Sequence, residues 1–291
     1  MVKVRIVMNK KHLRTKSTNQ TANLTASTPE LVRIVQITDS HIFSEPDGCL
    51  LGLNTRESLT AVCKRVKQEE WLPDLLLTTG DLSQDASPEA YQYLAQALGE
   101  LNIDTFWVAG NHDDPGVTSQ FFTHPNIQPH DHVLIGNWQI VLLDSSVAGE
   151  VHGNLSKTQL EQMEHLLKEH ADKNTLVVLH HHPIDINCDW IDKIGLKDND
   201  EFLQIIRRNK NVKCVLWGHV HQEFDQVIDG VRWLASPSSC VQFTPGSKEF
   251  SADTQSPGYR YLELYNDGQI ETRVHRVDSI NFTIDYTIKG Y

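Results

Sequence analysis

The chain has 291 residues, 39% of them hydrophobic and six of them Trp, enough for a sizeable core in one large α/β domain or two smaller ones. Its formal net charge of -12 argues against long polyanions such as DNA or RNA, where Lys and Arg supply the affinity, but leaves room for a small anionic substrate at a metal site. Five scattered cysteines, never spaced as C-x-x-C, argue against a disulfide framework or zinc ribbon and point to a reducing cytosol, and no stretch reaches the length of a membrane span.

The first 29 residues stand apart: they carry Lys3, Arg5, Lys10, Lys11, Arg14 and Lys16, no acidic residue, and many Ser, Thr and Asn. Residues 1–29 read as a disordered basic tail, with Met8 as an alternative start, and residues 30–291 as a single domain. After the tail, strands and helices alternate. A strand over 31–38 leads to a helix near 55–70, where Asn54 and Glu57 have capping-box spacing. A strand over 74–79 precedes a helix near 88–98, with Ser87 as N-cap and Pro88 in the first turn. Strands follow at 105–109, 132–135 and 138–143. A helix near 157–170 carries a Ser156/Gln159 capping box and Leu160, Met163 and Leu167 on one face. A strand over 175–179, a helix near 199–209 and a strand over 212–217 complete this part. Asp229-Gly230 then joins 224–228 to 231–235, and Asn266-Asp267-Gly268 joins 259–265 to 270–275, which reads as an antiparallel meander. The whole suggests a two-sheet sandwich with helices outside.

Five of the strands end on residues that bind metals. Asp39-x-His41 follows LVRIVQIT, Gly80-Asp81 follows PDLLLTT, Gly110-Asn111-His112 follows TFWVA, His180 follows TLVVL, and Gly218-His219-x-His221 follows KCVLW. Ligands at the same ends of neighbouring strands converge on one point. In extended backbone i and i+2 point the same way, so Asp39 with His41, and His219 with His221, are expected to face the site together. The preceding glycines are expected to permit unusual backbone angles and close approach.

Asp, Asn and His without Cys suit Mn, Fe, Zn or Co better than Mg or Ca, and the set is large enough for two ions. Two ions roughly 3.5–4 Å apart need a shared anionic ligand. Asp81, alone on its loop, is the candidate bridge. A hydroxide between the ions would be the nucleophile, and His112, beside ligand Asn111, is the candidate general acid. Asp113 is a candidate partner for the ligand histidines, Asp85 and Asp114 are loop residues as readily as partners, and His12, His124, His130, His132, His165, His170 and His275 read as surface or packing groups. In His180-His181-His182, alternation alone does not pick the ligand.

From about residue 31 onward the chain resembles the calcineurin-like metallophosphoesterases, and within them the bacterial class III 3′,5′-cyclic-AMP phosphodiesterases. The resemblance rests on QITDSHIF, LLGLNT, TTGDLSQD, GNHD, LHHHP and WGHVHQE, and on SPSSCVQFTP and SPGYRYLEL, which carry no ligands. It implies a four-layer αββα sandwich of two mixed β-sheets flanked by helices. It also implies one ion at Asp39, His41, Asp81 and His221 and a second at Asp81, Asn111, His180 and His219, so that His180 is the ligand of its triplet. Substrate phosphate would meet His41, Asp81, Asn111, His112 and His221. The implied reaction is cleavage of cyclic AMP to 5′-AMP by a cytoplasmic enzyme carrying Fe or Mn, with Zn or Co as alternatives, acting on a small cyclic nucleotide and on neither nucleic acid nor membrane. The metal motifs alone also fit a broader phosphoesterase acting on glycerophosphodiesters, nucleotides or phosphoproteins. A non-catalytic scaffold would have no need of both His112 and a bridging Asp.

Overall fold

Local signals set the helix starts. Asn54 accepts the Glu57 N–H at 2.9 Å and opens α1, Thr55–Val66. Ser87 caps α2, Pro88–Gly99, with Pro88 in its first turn, and the Ser156/Gln159 capping box is formed at α4, Lys157–Glu169. A short α3, Pro115–Phe121, starts on the Asp114 side chain, and α5 spans Asp200–Arg208. These elements belong to a computed structural model that describes residues 21–288 and 290.

Two large sheets organise the chain. The six-stranded sheet runs, in spatial order, Ile270–Arg276, Gly258–Tyr265, Leu31–Ile37, Leu75–Thr79, Thr105–Val108, Ile127–Gln128. The seven-stranded sheet runs Thr21–Leu24, His132–Ile135, Trp138–Leu142, Asn174–Val178, Val212–Trp217, Val231–Ala235, Phe224–Ile228. Val32, Ile34, Leu75, Leu77, Phe106 and Leu262 of the first meet Val133, Ile140, Leu176, Val178, Cys214 and Leu216 of the second in a shared apolar layer. The opposite face of the six-stranded sheet packs Val35, Ile37 and Leu76 on Leu59, Val62, Tyr91, Leu94 and Leu98 of α1 and α2. The opposite face of the seven-stranded sheet packs Val177, Val215 and Trp217 against Leu160, Met163, Leu167, Phe202 and Ile205 of α4 and α5. The result is the αββα layering, with each buried Leu, Val or Phe contributing about 1.5–3 kcal/mol.

Three expectations change. The tail is ordered in part: Thr21–Leu24 pair in parallel with His132–Ile135, and Thr21 Oγ1 meets His132 Nδ1 at 3.0 Å. That pairing covers backbone groups that an edge strand would otherwise leave open, and a half-exposed polar strand shows no apolar alternation in sequence. Residues 1–20 of the expected tail lie outside the described residues. Second, the two C-terminal hairpins do not form one meander. Phe224–Ile228 with Val231–Ala235 finishes the seven-stranded sheet, where Val231–Ala235 runs parallel to Val212–Trp217, while Gly258–Tyr265 with Ile270–Arg276 finishes the other sheet. Third, the segment without a predicted element after Asn111 forms α3, for which Asp114 before Pro115 is a helix-start pattern.

Candidate metal centre

The strands before Asp39, Asp81 and Asn111 are adjacent and parallel in the six-stranded sheet. Those before His180 and His219 are adjacent and parallel in the other. All five therefore deliver their next residues at carboxyl ends of strands, where open α/β sheets place ligands. The ends are tied together within the six-stranded sheet and, by the last of three bonds, across to the other sheet. Asp39 N–H donates to Gly80 O at 3.1 Å, His41 N–H to Asp81 O at 2.9 Å, and the His180 ring Nδ1–H to Thr79 O at 2.7 Å.

The local backbone is not the extended one expected. Asp39, His41, Asp81, His219 and His221 all have positive φ, between 45° and 66°. Left-handed backbone at non-glycine residues is uncommon and costs energy, so side-chain convergence here comes from tight turns, not strand alternation. Of the three glycines only Gly80 has positive φ, at 95°. Gly110 and Gly218 serve close approach. A Cβ on Gly110 would lie 2.3 Å from Asp81 N, and one on Gly218 2.3 Å from Thr38 Oγ1.

Two groups of ligand atoms result, every residue in them buried: Asp39, His41, Asp81 and His221 in one, His180, His181 and His219 in the other. In the first, His221 Nδ1–H donates to Val241 O at 2.8 Å and His41 Nδ1 meets Gln84 Oε1 at 2.6 Å. Each ring thereby turns its Nε2 inward, and the two Nε2 atoms lie 3.1 Å apart. Asp39 Oδ1 is 3.5 Å from His221 Nε2. In the second, His180 Nε2 faces Asn111 Oδ1 at 3.2 Å and Asp81 Oδ2 at 3.3 Å. His181 differs from its neighbour. Its Nε2 is spent on Val151 O at 3.2 Å and its Nδ1 on Ser145 Oγ at 2.8 Å, so its lone pair is already used. Asp81 Oδ2 lies between the groups, 3.7 Å from His41 Nε2 and 3.3 Å from His180 Nε2. Among the described residues, that oxygen and both His219 ring nitrogens are buried without a hydrogen-bond partner. Buried polar atoms are normally satisfied, so orphans converging with facing lone pairs fit cations, and an O/N donor set without sulfur fits Mn, Fe, Zn or Co.

The electrostatics agree for His41 and His219, whereas His180 holds a proton that a cation would displace. Burial lowers the pKa of His41 to about 3, with His112 and His221 adding to the effect against the pull of Asp81, so its ring is neutral and a competent donor. Burial likewise holds His219 well below the ordinary histidine range. Burial would lower His180 too, but the Asp81 carboxylate outweighs it and carries the ring up to about 9. For Asp81, burial opposes ionisation, yet His180, His112 and His41 hold it well below the usual carboxylate range.

A sequence model of calcineurin-like phosphoesterases matches residues 32–223, which include every one of these ligand atoms. The chain belongs to the calcineurin-like phosphoesterase family. Relatives named 3′,5′-cyclic adenosine monophosphate phosphodiesterase CpdA occur in Pseudomonas aeruginosa, 42% identical over 92% of this chain and 98% of that one, and in Escherichia coli K12, 42% identical over 89% and 95%. Among solved structures, a dimetal phosphatase from Danio rerio shares the fold with a TM-score of 0.61 at 15% identity, covering 86% of this chain and 100% of that one.

The phosphoesterase site also shows what sequence reasoning missed. Asp113 does not partner a ligand histidine. Its carboxylate accepts N–H groups from Leu82, Ser83 and Gly110 and the Tyr91 hydroxyl, tying the Asp81 loop to the Asn111 loop. Burial and the nearby Asp81 charge raise its pKa to about 6. Asp114 caps α3, and Asp85 accepts from Ser44 N–H and the Ser87 hydroxyl. His112 sits at the rim, half-buried, its N–H on Asp81 Oδ1 at 2.9 Å and its ring edge-on to His41 at 4.9 Å. The SPSSCVQF block holds the first group from behind. Ser238 Oγ donates to Asp39 O at 2.7 Å, Ser239 N–H to Thr38 O at 2.9 Å, and Phe243 stacks on His221 at 4.3 Å. Gln84 as the partner of His41 had no signal beyond its place in TTGDLSQD.

Proposed function

We propose that this phosphoesterase hydrolyses the 3′ phosphoester bond of 3′,5′-cyclic AMP to give 5′-AMP, lowering the cyclic AMP signal, with two divalent transition-metal ions. Asp39, His41, Asp81 and His221 would hold one ion, and Asp81, Asn111, His180 and His219 the other. When bound, such ions activate a water nucleophile at neutral pH and neutralise charge on the phosphate. The observation that carries this reading is the position of Asp81 Oδ2, within 3.7 Å of a ring nitrogen of each group and otherwise unsatisfied among the described residues. A carboxylate so placed would serve both ions.

The chain's own residues supply the rest. His112 stands at the mouth of a buried site with its backbone fixed by Asp81, where its ring can hand a proton to the departing 3′ oxygen. Asn111 and His112 share one turn, so the group that orients the phosphate and the group that serves the leaving oxygen move together. Substrate choice rests on the relatives, whose similarity extends through nearly their whole length and includes stretches with no ligand. Fe or Mn are the first choices of metal, with Zn or Co next. A cytoplasmic location fits five unpaired cysteines, and among the described residues no helix is long and apolar enough to cross a membrane.

A competition assay across cyclic AMP, cyclic GMP and linear phosphodiesters, with each metal supplied in turn, tests the proposal. Preferred turnover of cyclic AMP supports it; rapid cleavage of a linear diester beside intact cyclic AMP removes it.

A further inference from the structure

Arg260 lies in strand Gly258–Tyr265 and is 1% exposed. Its guanidinium donates only to neutral oxygens among the described residues: Ser236 Oγ at 3.2 Å, Thr272 Oγ1 at 3.0 Å, Ala235 O at 2.7 Å and Phe224 O at 3.3 Å. A buried cation is costly without negative charge nearby. The Glu223 and Asp225 carboxylates act on it through space, and a third carboxylate, Asp39, is reached through side chains. The Ser236 hydroxyl donates to Gln36 Oε1. Gln36 Nε2 donates to Thr79 Oγ1 at 2.7 Å, Thr79 Oγ1 to Thr38 Oγ1 at 2.7 Å, and Thr38 Oγ1 to Asp39 Oδ2 at 2.7 Å. Each link is 1% exposed or less. Every donor points the same way, from the guanidinium to the carboxylate, so each bond polarises the next.

We propose that Arg260 is a positioning residue for the metal centre, acting on Asp39 through the Ser236–Gln36–Thr79–Thr38 relay. The relay fixes Asp39 Oδ2 from behind, while the His219 N–H reaches both carboxylate oxygens at 2.9 and 3.2 Å. This leaves Oδ1 turned toward His221 Nε2. It also crosses from one sheet to the other, since Ser236 follows a strand of the seven-stranded sheet and Gln36 Nε2 donates to Trp217 O there at 3.0 Å. The packing of the two sheets is thereby connected to the orientation of one ligand. The inference rests on Asp39 being a metal ligand, as proposed above.

The test is Mn2+ binding to chelator-stripped full-length protein, read from the free-ion paramagnetic resonance signal, with thermal melting measured in parallel. Thr79→Val breaks the relay two residues away from any ligand side chain and keeps the Thr79 carbonyl that His180 uses. It is expected to weaken binding of one Mn2+ about tenfold, the usual cost of losing support behind a ligand, whereas Thr79→Ser, which keeps the hydroxyl, binds as the native chain does. Arg260→Gln is expected to give a similar loss, and adding it to Thr79→Val no further loss. If Arg260→Gln does not fold, the Thr79 pair decides alone. A Thr79→Val protein that melts lower but binds both ions with native affinity overturns the inference. A native chain that takes up no Mn2+ overturns the metal reading and the inference with it.

Discussion

His41 and His221 approach each other through their Nε2 atoms at 3.1 Å, with both rings buried and each outer nitrogen already committed, to Gln84 and to a backbone carbonyl. Two lone pairs at that distance repel unless a positive charge sits beside them. Burial that lowers His41 to about 3 closes the route by which its own ring would supply that charge. A cation at this pair would relieve that repulsion, and both residues sit in left-handed backbone, with φ of 45° and 48°.

Asp81→Ala removes the one oxygen that reaches both groups. Turnover is expected to fall by at least about a thousandfold, given that metal-activated water supplies the nucleophile. Metal content by mass spectrometry should fall together with activity. A variant that keeps both ions and most of its rate removes Asp81 from the bridging position.

His112→Ala separates proton donation from phosphate activation. Cleavage of alkoxide leaving groups is expected to slow by about 10²–10⁴-fold, the usual contribution of a general acid, while nitrophenyl esters, which need no proton, slow far less. Equal losses on both substrate types assign His112 to binding only.

Metal uptake should release a proton in a defined pH window. Asp81 raises His180 to about 9, so the ring is protonated in the metal-free protein below that pH and must lose its proton to bind a cation. Calorimetric titration in buffers of different ionisation enthalpy should show release of about one proton at pH 7, falling toward zero as the pH rises past 9. Release that does not change across that range contradicts the assignment of His180 as a ligand.

Gly110→Ala tests close approach. The added methyl would lie 2.2 Å from Asp81 Oδ1 and 2.3 Å from its backbone N, and the backbone contact cannot be relieved by a rotamer change. Overpacking of this kind costs about 1–3 kcal/mol, so the melting temperature is expected to drop by several degrees and the metal affinity with it. A variant with native melting and metal content shows that the two loops can part.

Much of this was legible in the sequence because the signals were local. Capping at Asn54, Ser87 and Ser156 and the Asp229-Gly230 turn depend on neighbours within three residues, and each fell where the spacing put it. The ligand residues showed because each follows an apolar strand. What did not show depends on residues far apart in the chain. The pairing of Thr21–Leu24 with His132–Ile135 spans more than a hundred residues, and nothing in TANL announces it. Asp113 looked like a histidine partner by proximity in sequence, but three N–H groups on two loops were better placed to claim it. Alternation left His180 and His181 open and only the resemblance favoured His180; the partners that occupy both ring nitrogens of His181, Ser145 and Val151, lie 30 residues or more away in the chain.

Cyclic AMP hydrolysis is decided by giving purified protein, reconstituted with Mn2+ or Fe2+, cyclic AMP and following nucleotide products by chromatography. Cyclic AMP is expected to disappear with matching formation of 5′-AMP, in native protein but not in Asp81→Ala. Cyclic AMP left intact by a fully metal-loaded native enzyme that readily cleaves another phosphodiester would contradict it.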